Sequence, residues 1–296
     1  MSPTHDKQFE RTELNMEIDA QTSLYAVFGN PVGHSLSPVM HNKAFAETGF
    51  NGVYLAFRVI DIKAALYAVR AMDMKGISVT IPHKIAVMNL LDEIDDQSRR
   101  IGAVNTVINR EGRLRGYNSD GQGAVRALME KTKVSGAEIA VIGAGGAARA
   151  IGFGLIDQGA RVTIINRGTE KGEGLAKDLG GDFKPLSGLG NISADILINT
   201  TPVGMVPRTE DMPLLPGLLR KDMLVMDIVY NPVQTALLKH ARQTGCRTID
   251  GVAMFVYQGA FQFTLWTGME APVETMRKTV YAALNAQADE TGGIND

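Results

Sequence analysis

A single cysteine, Cys246, occurs in the 296 residues, and one thiol cannot close an intrachain disulfide. A disulfide-stapled scaffold is therefore excluded, and the reducing cytoplasm is the natural compartment. No Cys/His cluster has the spacing of metal ligands, so no metal site is expected. No segment reaches the ~18 uninterrupted apolar residues of a membrane span. The first twenty residues mix Asp, Glu, Lys and Arg and contain no apolar run of signal-peptide length. Excess charge is missing as well: 30 Lys and Arg face 32 Asp and Glu, a formal net charge of −2. Such a chain has no global field to draw it to nucleic acid or to an anionic membrane, and any anion must be held by local groups. Neither an internal repeat nor a low-complexity tract is present.

What the chain does contain is an ordinary globular mixture, 45% hydrophobic and 21% charged. Its length divides into two domains at about 100–200 residues per domain. Leu24–Gly29, Tyr54–Val59 and Gly76–Thr80 read as strands, with helices at Val39–Glu47 and Ile62–Met72 between them. This β–α–β–α–β alternation predicts a mostly parallel sheet covered by helices. Val104–Asn109 and Arg113–Asn118 flank Glu111-Gly112 as a hairpin. A helix at Gly123–Glu130 leads to a second series of strands at Glu138–Ile142, Arg161–Ile165, Asp195–Asn199, Leu224–Ile228 and Arg247–Ile249. Gly168–Gly190 is rich in glycine and is expected to be mobile. Ala253–Thr267 and Val273–Gln287 carry helical spacing with no strand after them, and are expected to return to the first domain. The expected class is α/β with two domains: residues 1–120 with 252–296, and a Rossmann-type unit over 121–251.

The segment Glu138 to Ala148 fits G-x-G-x-x-G/A between a strand and a helix. Gly143 permits the tight turn, Gly145 lets backbone approach a pyrophosphate, and Ala148 allows close helix–strand packing. The helix N-terminus then offers N–H groups to phosphates. At the end of the next strand the chain reads Ile165-Asn166-Arg167. An NAD site usually places a carboxylate there. Asn166 carries no charge to repel a 2′-phosphate, while Arg167 and Lys171 offer positive donors, so NADP is favoured over NAD. The bland alternative is that both are solvated surface charges.

Three polar clusters fall at predicted element ends: Asn30 to Pro38 with Ser35 and Ser37; Ser78 to Lys84 with Thr80; and Gly102 to Thr106 with Asn118 to Gly121. Ends of this kind form the ligand crevice of parallel α/β sheets. Ser35, Ser37, Thr80 and Asn105 offer neutral hydrogen bonds to a polyhydroxylated carboxylate. Each hydroxyl has a cap or turn alternative, and Ser37 before Pro38 suits both an N-cap and a ligand. Lys84 and Asp120 form a candidate charged pair, with Lys84 able to give a proton to a reduced ketone oxygen. The alternative for them is a surface Lys and a turn Asp. His83 and Cys246 are not expected to be catalytic.

Together these clusters resemble the shikimate dehydrogenase family, in the expected order from about Ser23 to Val280. The resemblance implies reversible NADPH-dependent reduction of 3-dehydroshikimate to shikimate. It also implies substrate contacts at Ser35, Ser37, Thr80, Lys84, Asn105, Asp120, Tyr230 and Gln258, with Lys84 and Asp120 catalytic. On the nucleotide side it implies Gly143, Ala144, Gly145, Gly146 and Ala147 at the phosphates, with Asn166, Arg167 and Lys171 as the ribose-phosphate clamp. Thr201, Val203, Ile228 and Gly251 are implied near the nicotinamide. The chain departs from the family pattern at four places: Gly168 for the clamp's Thr, His83 for Phe, Ser119 for Thr, and Ser78 for Asn. His83 and Ser78 are expected to border the site and to affect a choice between shikimate and quinate. Closure is expected at hinges near Asp120–Gly123 and Gly251–Ala253, in a monomer or homodimer with no macromolecular partner. The alternatives are a quinate/shikimate dehydrogenase and a catalytically silent NADP-binding regulator.

Overall fold

Along Ser23–Gly29, Tyr25 and Val27 are buried on one face of the chain, and Ala26 and Phe28 on the other. A segment apolar on both faces suits a central strand covered on both sides, and this is the first strand of the computed structural model, in which residues 18–187 and 189–292 are described. Residues 1–17 and 293–296 lie outside the described residues. Strand β1 (Ser23–Gly29) is followed by α1 (Ser37–Thr48), β2 (Gly52–Arg58), α2 (Ile62–Ala71) and β3 (Gly76–Val79). Both β2 and β3 run parallel to β1. Met40 and Phe45 of α1 cover the Tyr25 face, and Leu66 and Val69 of α2 cover the Phe28 face. A 3-10 turn (Ala86–Leu90), β4 (Glu93–Ile94) and α3 (Asp96–Ile101) precede the hairpin of β5 (Thr106–Arg110) and β6 (Arg113–Tyr117). The sheet order is β2-β1-β3-β5-β6-β4, with β5 antiparallel to both its neighbours.

Helix α4 (Asp120–Met129) leads to the second sheet. There β7 (Glu138–Ile142), α5 (Gly146–Asp157), β8 (Arg161–Asn166), α6 (Thr169–Leu179) and β9 (Asp182–Pro185) form one half. The other half contains β10 (Ile196–Asn199), β11 (Leu224–Asp227), α7 (Ala236–Gln243) and β12 (Arg247–Ile249). All its strand pairs are parallel, in the order β12-β11-β10-β7-β8-β9. That is the doubly wound order, with its reversal between β7 and β10. Helices α8 (Gly251–Thr267) and α9 (Val273–Gly292) then return to the first sheet. Val256, Phe263, Met276 and Val280 join Tyr25 and Tyr54 in one core, and Trp266 Nε1 donates to the Val107 carbonyl at 3.0 Å. No helix among the described residues is long and apolar enough to cross a membrane.

The pattern-based expectations differ from this fold in informative places. Helix α4 begins at Asp120 and α8 at Gly251, so both expected hinge segments are opening turns of helices. The glycine-rich stretch after Gly168 forms α6 and β9. Its glycine at 172 is there for packing: a Cβ would lie 2.2 Å from the Phe183 ring on β9. Leu175, Ala176 and Leu179 bury the helix face against the sheet and offset the poor helix propensity. The 3-10 turn, β4, α3 and α7 are short and escape any periodicity count.

Two helices connect the sheets, and α4 packs against both α5 and α8 through glycine. A Cβ on Gly121 would sit 2.4 Å from the Ala150 carbonyl oxygen, and one on Gly123 would sit 2.8 Å from the Gln258 nitrogen. Backbone on the far side cannot yield as a side-chain tip can. Gly123→Ala is therefore expected to destabilise the fold by about 1–3 kcal/mol through overpacking, despite alanine's better helix propensity. The urea midpoint measures it, and an unchanged or raised midpoint would show that the crossing can open.

Candidate active site

The antiparallel setting of β5 decides where the polar clusters meet. Because β5 runs against β3 and β6, the residue just before it, Asn105, lies at the same sheet edge as the residues that follow β1, β3 and β6. Ser35 and Ser37 follow β1, Thr80 and Lys84 follow β3, and Asp120 follows β6. These six, with Tyr230 and Gln258, line one cavity of about 360 Å³. Lys84 Nζ donates to Asp120 Oδ2 at 2.6 Å. Asn105 Nδ2 donates to the other oxygen, Oδ1, at 2.7 Å. Asp120 is the first residue of α4, where free N–H groups favour a carboxylate. Its own N–H is taken by Asn118 Oδ1 at 3.0 Å. With Asp120 only 10% and Lys84 29% exposed, the pair is half-sheltered yet open to the cavity.

A second cavity, about 630 Å³, shares Lys84, Asp120, Ile228 and Tyr230 with the first and runs on to Ala147, Thr200 and Thr201 of the second sheet. It approaches the turn between β7 and α5. Gly143 there has φ +114°, and a Cβ on it would stand 2.6 Å from Thr200 Oγ1. Only glycine suits both the conformation and the space. At Gly145 and Gly146 an added Cβ would meet nothing within 4 Å. The α5 N-terminus has no side-chain cap, so its first N–H groups face that open space. Beyond β8, Arg167 and Lys171 are exposed, and neither forms an ion pair among the described residues. Arg167 borders a further cavity with Leu186, Ser187 and Met212.

Comparison with known proteins places this geometry. Residues 27–107 match the model of the shikimate dehydrogenase substrate binding domain. Residues 126–241 match that of shikimate / quinate 5-dehydrogenase, and 251–281 that of the shikimate 5'-dehydrogenase C-terminal domain. A shikimate dehydrogenase (NADP(+)) of Pyrococcus furiosus is 48% identical over 270 residues, spanning 90% of this chain and 98% of the relative. The chain belongs to the shikimate dehydrogenase family. Among solved structures, a shikimate dehydrogenase in complex with NADP+ superposes with a TM-score of 0.87 at 42% identity, covering 91% of this chain and 98% of that one. The Thermus thermophilus shikimate 5-dehydrogenase, in complex with NADP(H) and shikimate, has a TM-score of 0.84 at 36% identity, covering 89% and 100%.

Against the shikimate dehydrogenase expectations, the fold gathers all eight residues implied at the substrate around the first cavity, together with Ile228 and Gly251. Ala147 and Thr201 line the second. Val203 lines neither: its N–H donates to Thr201 Oγ1 at 3.3 Å, and it serves the turn. Asn166 folds back to the Gly168 carbonyl at 2.8 Å. Ser37 is not an N-cap, because Leu36 holds that position, and the Ser35 hydroxyl accepts from the Ser37 N–H at 3.3 Å instead. His83 does not border the site. Its imidazole is buried with Nε2 2.8 Å from the Val59 carbonyl, a partner that only the folded end of β2 supplies. Ser78 does line the cavity.

Sequence reasoning missed Gln262 and Asp227. Gln262 is buried at the cavity floor, four residues beyond Gln258 on the same face of α8, and that spacing was the available signal. Asp227, fully buried at the end of β11, accepts from Asn199 Nδ2 at 2.9 Å, the Val229 N–H at 3.1 Å and Thr235 Oγ1 at 2.7 Å. It thereby ties together the turns that carry Thr201 and Ile228. Burial outweighs those three bonds and pushes its carboxyl up to about 6 from 3.8. The folded protein thus holds this proton more tightly than the unfolded chain. The associated stability is complete below about pH 3.8 and is lost as pH rises through about 6. Asp227→Asn is expected to remove this loss, roughly 2–3 kcal/mol between those limits. Urea midpoints from pH 4 to 7 test it; an unaltered slope in the variant would assign the dependence to other groups.

Proposed function

We propose that this chain catalyses the reversible NADPH-dependent reduction of 3-dehydroshikimate to shikimate, with Lys84 and Asp120 as the catalytic pair. One observation carries the reading. Lys84 and Asp120 line both cavities, where the polar pocket of the first sheet meets the passage from the glycine turn of the second. A polyhydroxylated ring in one and a nicotinamide in the other would meet at that pair.

The residues fit NADP. Gly143, Ala144, Gly145, Gly146 and Ala147 leave room at the uncapped α5 N-terminus for a pyrophosphate. Asn166, Arg167 and Lys171 present donors and no carboxylate at the ribose position. Thr201, Ile228 and Gly251 lie toward the reacting end, with Val203 bracing the Thr201 turn. NADP(H), when bound, supplies or takes the hydride. Ser35, Ser37, Thr80, Asn105, Tyr230 and Gln258 hold the ring and its carboxylate by neutral hydrogen bonds. Reduction leaves negative charge on the ketone oxygen, and Lys84 Nζ gives it a proton; in the reverse direction Lys84 takes it back. Asp120, braced by Asn105 from its far side, keeps the Lys84 ammonium at the junction. In this reading residues 1–120 with 252–296 carry the substrate and 121–251 the cofactor. The enzyme works in the cytoplasm as a monomer or homodimer on a small molecule alone.

Initial rates with shikimate and with quinate, each offered NADP and NAD, test the assignment. A large preference for shikimate with NADP is expected. A preference for quinate would move the specificity while keeping the chemistry, and no turnover with any pair would leave a silent NADP binder. Lys84→Ala is expected to lower kcat by about 10²–10⁴-fold with NADPH affinity retained, and loss of cofactor binding would reject its role. Arg167→Ala should weaken NADP about 10- to 100-fold and NAD far less. Equal losses for the two cofactors would remove the phosphate-clamp role.

A further inference from the structure

Behind the floor of the first cavity, five side chains form a chain of hydrogen bonds with a single direction. Asn105 Oδ1 receives the Ser119 backbone N–H at 2.8 Å, a donor that cannot reverse its role, so Nδ2 is the end that faces Asp120. Thr106 gives its one hydroxyl proton to the same Oδ1 at 2.7 Å and can therefore only accept from Gln262 Nε2, 2.9 Å away. The Asn105 carbonyl, 3.4 Å from Nε2, requires the same amide orientation independently. Gln262 Oε1 thus faces Ser78, which donates to it at 3.0 Å and accepts from the Tyr54 hydroxyl at 2.6 Å. Tyr54, Ser78, Gln262, Thr106 and Asn105 are all buried. Every donor along the chain points toward the carboxylate that also receives Lys84.

Gln262 has no proton left for a ligand, because both are committed to Thr106 and Asn105. As a donor it therefore acts on the site only through them. We propose that Gln262 is a positioning residue for the Lys84–Asp120 pair: through Thr106 it holds the Asn105 carboxamide so that Nδ2 meets Asp120. This rests on the function proposed above. Without the Gln262 donor, the Thr106 hydroxyl is held only by Asn105 Oδ1 and Ser119 Oγ, and the Asn105 carbonyl keeps only the Val79 N–H at 2.8 Å. The Ser119 N–H and hydroxyl still hold Asn105 Oδ1 at 2.8 and 3.1 Å, but with Thr106 no longer pinned the carboxamide can tilt about that anchor, which misplaces Nδ2 and with it the carboxylate at the junction of the two cavities.

The test compares the unaltered protein with Gln262→Met, Thr106→Val, the double variant, and Thr264→Ala at an exposed position of α8 as control. Each of the first two is expected to lower kcat about tenfold through misplacement of the pair, with the KM for NADP within about twofold. The double variant should be no slower than the worse single one, because both cut the same chain. Gln262→Met with kcat within twofold of the unaltered protein overturns the proposal, as does a double variant whose loss is the product of the two single losses. If Gln262→Met does not fold, a Thr106→Val kcat near that of the unaltered protein overturns it equally. Should the unaltered protein turn over neither shikimate nor quinate, the functional reading fails by itself, and the Asn105 side-chain amide resonances decide the inference. They should shift and lose exchange protection in Gln262→Met or Thr106→Val but not in Thr264→Ala; unmoved resonances overturn it.

Discussion

A carboxylate can only accept, and Asp120 accepts on both oxygens from groups held by different elements. Lys84 arrives from the segment after β3 and Asn105 from the residue before β5, while Asp120 itself opens α4. The arrangement holds only if three strand ends of the first sheet reach the same edge. The antiparallel insertion of β5 between β3 and β6 meets that condition. Much of the site's polarity is set from this acceptor outward. The Asn105 amide must turn its nitrogen toward Asp120, and its oxygen then collects the Ser119 N–H and the Thr106 and Ser119 hydroxyls.

The two sheets meet at this point because their connecting helices can approach closely. Gly121 and Gly123 remove side chain where α4 faces the backbones of α5 and α8, so the helix that begins with Asp120 sits directly against the helix that carries Gln258 and Gln262. Arg149 on α5 reinforces the junction by donating to the Ile101 and Arg100 carbonyls at the end of α3, 2.6 and 3.0 Å away. In the second sheet, buried Asp227 plays the part that Asp120 plays in the first. It is an acceptor that draws donors from several turns into one arrangement, with protein groups taking the place of solvent.

The central strands were legible to within one residue at each end. The strands around Tyr25, Ile77, Val141 and Val225 needed only alternating or continuous apolar runs, because both faces of each are covered. Helix α6 was not legible, since Gly172 looks like a helix breaker until Phe183 is seen lying against it. The start of α4 was also obscured. Asn118 to Gly121 has the composition of a turn, and only the folded chain shows Asn118 bonding the Asp120 N–H and opening a helix. His83 illustrates the same limit from the other side. Its place beside Lys84 suggested a wall of the site, but burial demands a hydrogen-bond partner, and the Val59 carbonyl after β2 supplies it.

The sequence by itself determined the α/β class, the glycine turn after β7, the cationic residues after β8 and the polar residues after β1 and β3. These depend on local chemistry: apolar period, backbone freedom at Gly143, and the charge of neighbouring side chains. Tertiary structure alone decided that Lys84 and Asp120 touch, that Ser35 and not Ser37 gives the turn its hydroxyl bond, and that Gln262 bonds both Ser78 and Thr106 from a helix more than 150 residues away. Hydrogen bonds act over about 3 Å, and which groups come within that reach depends on how the sheets stack and where the helices cross, which no spacing along the chain encodes.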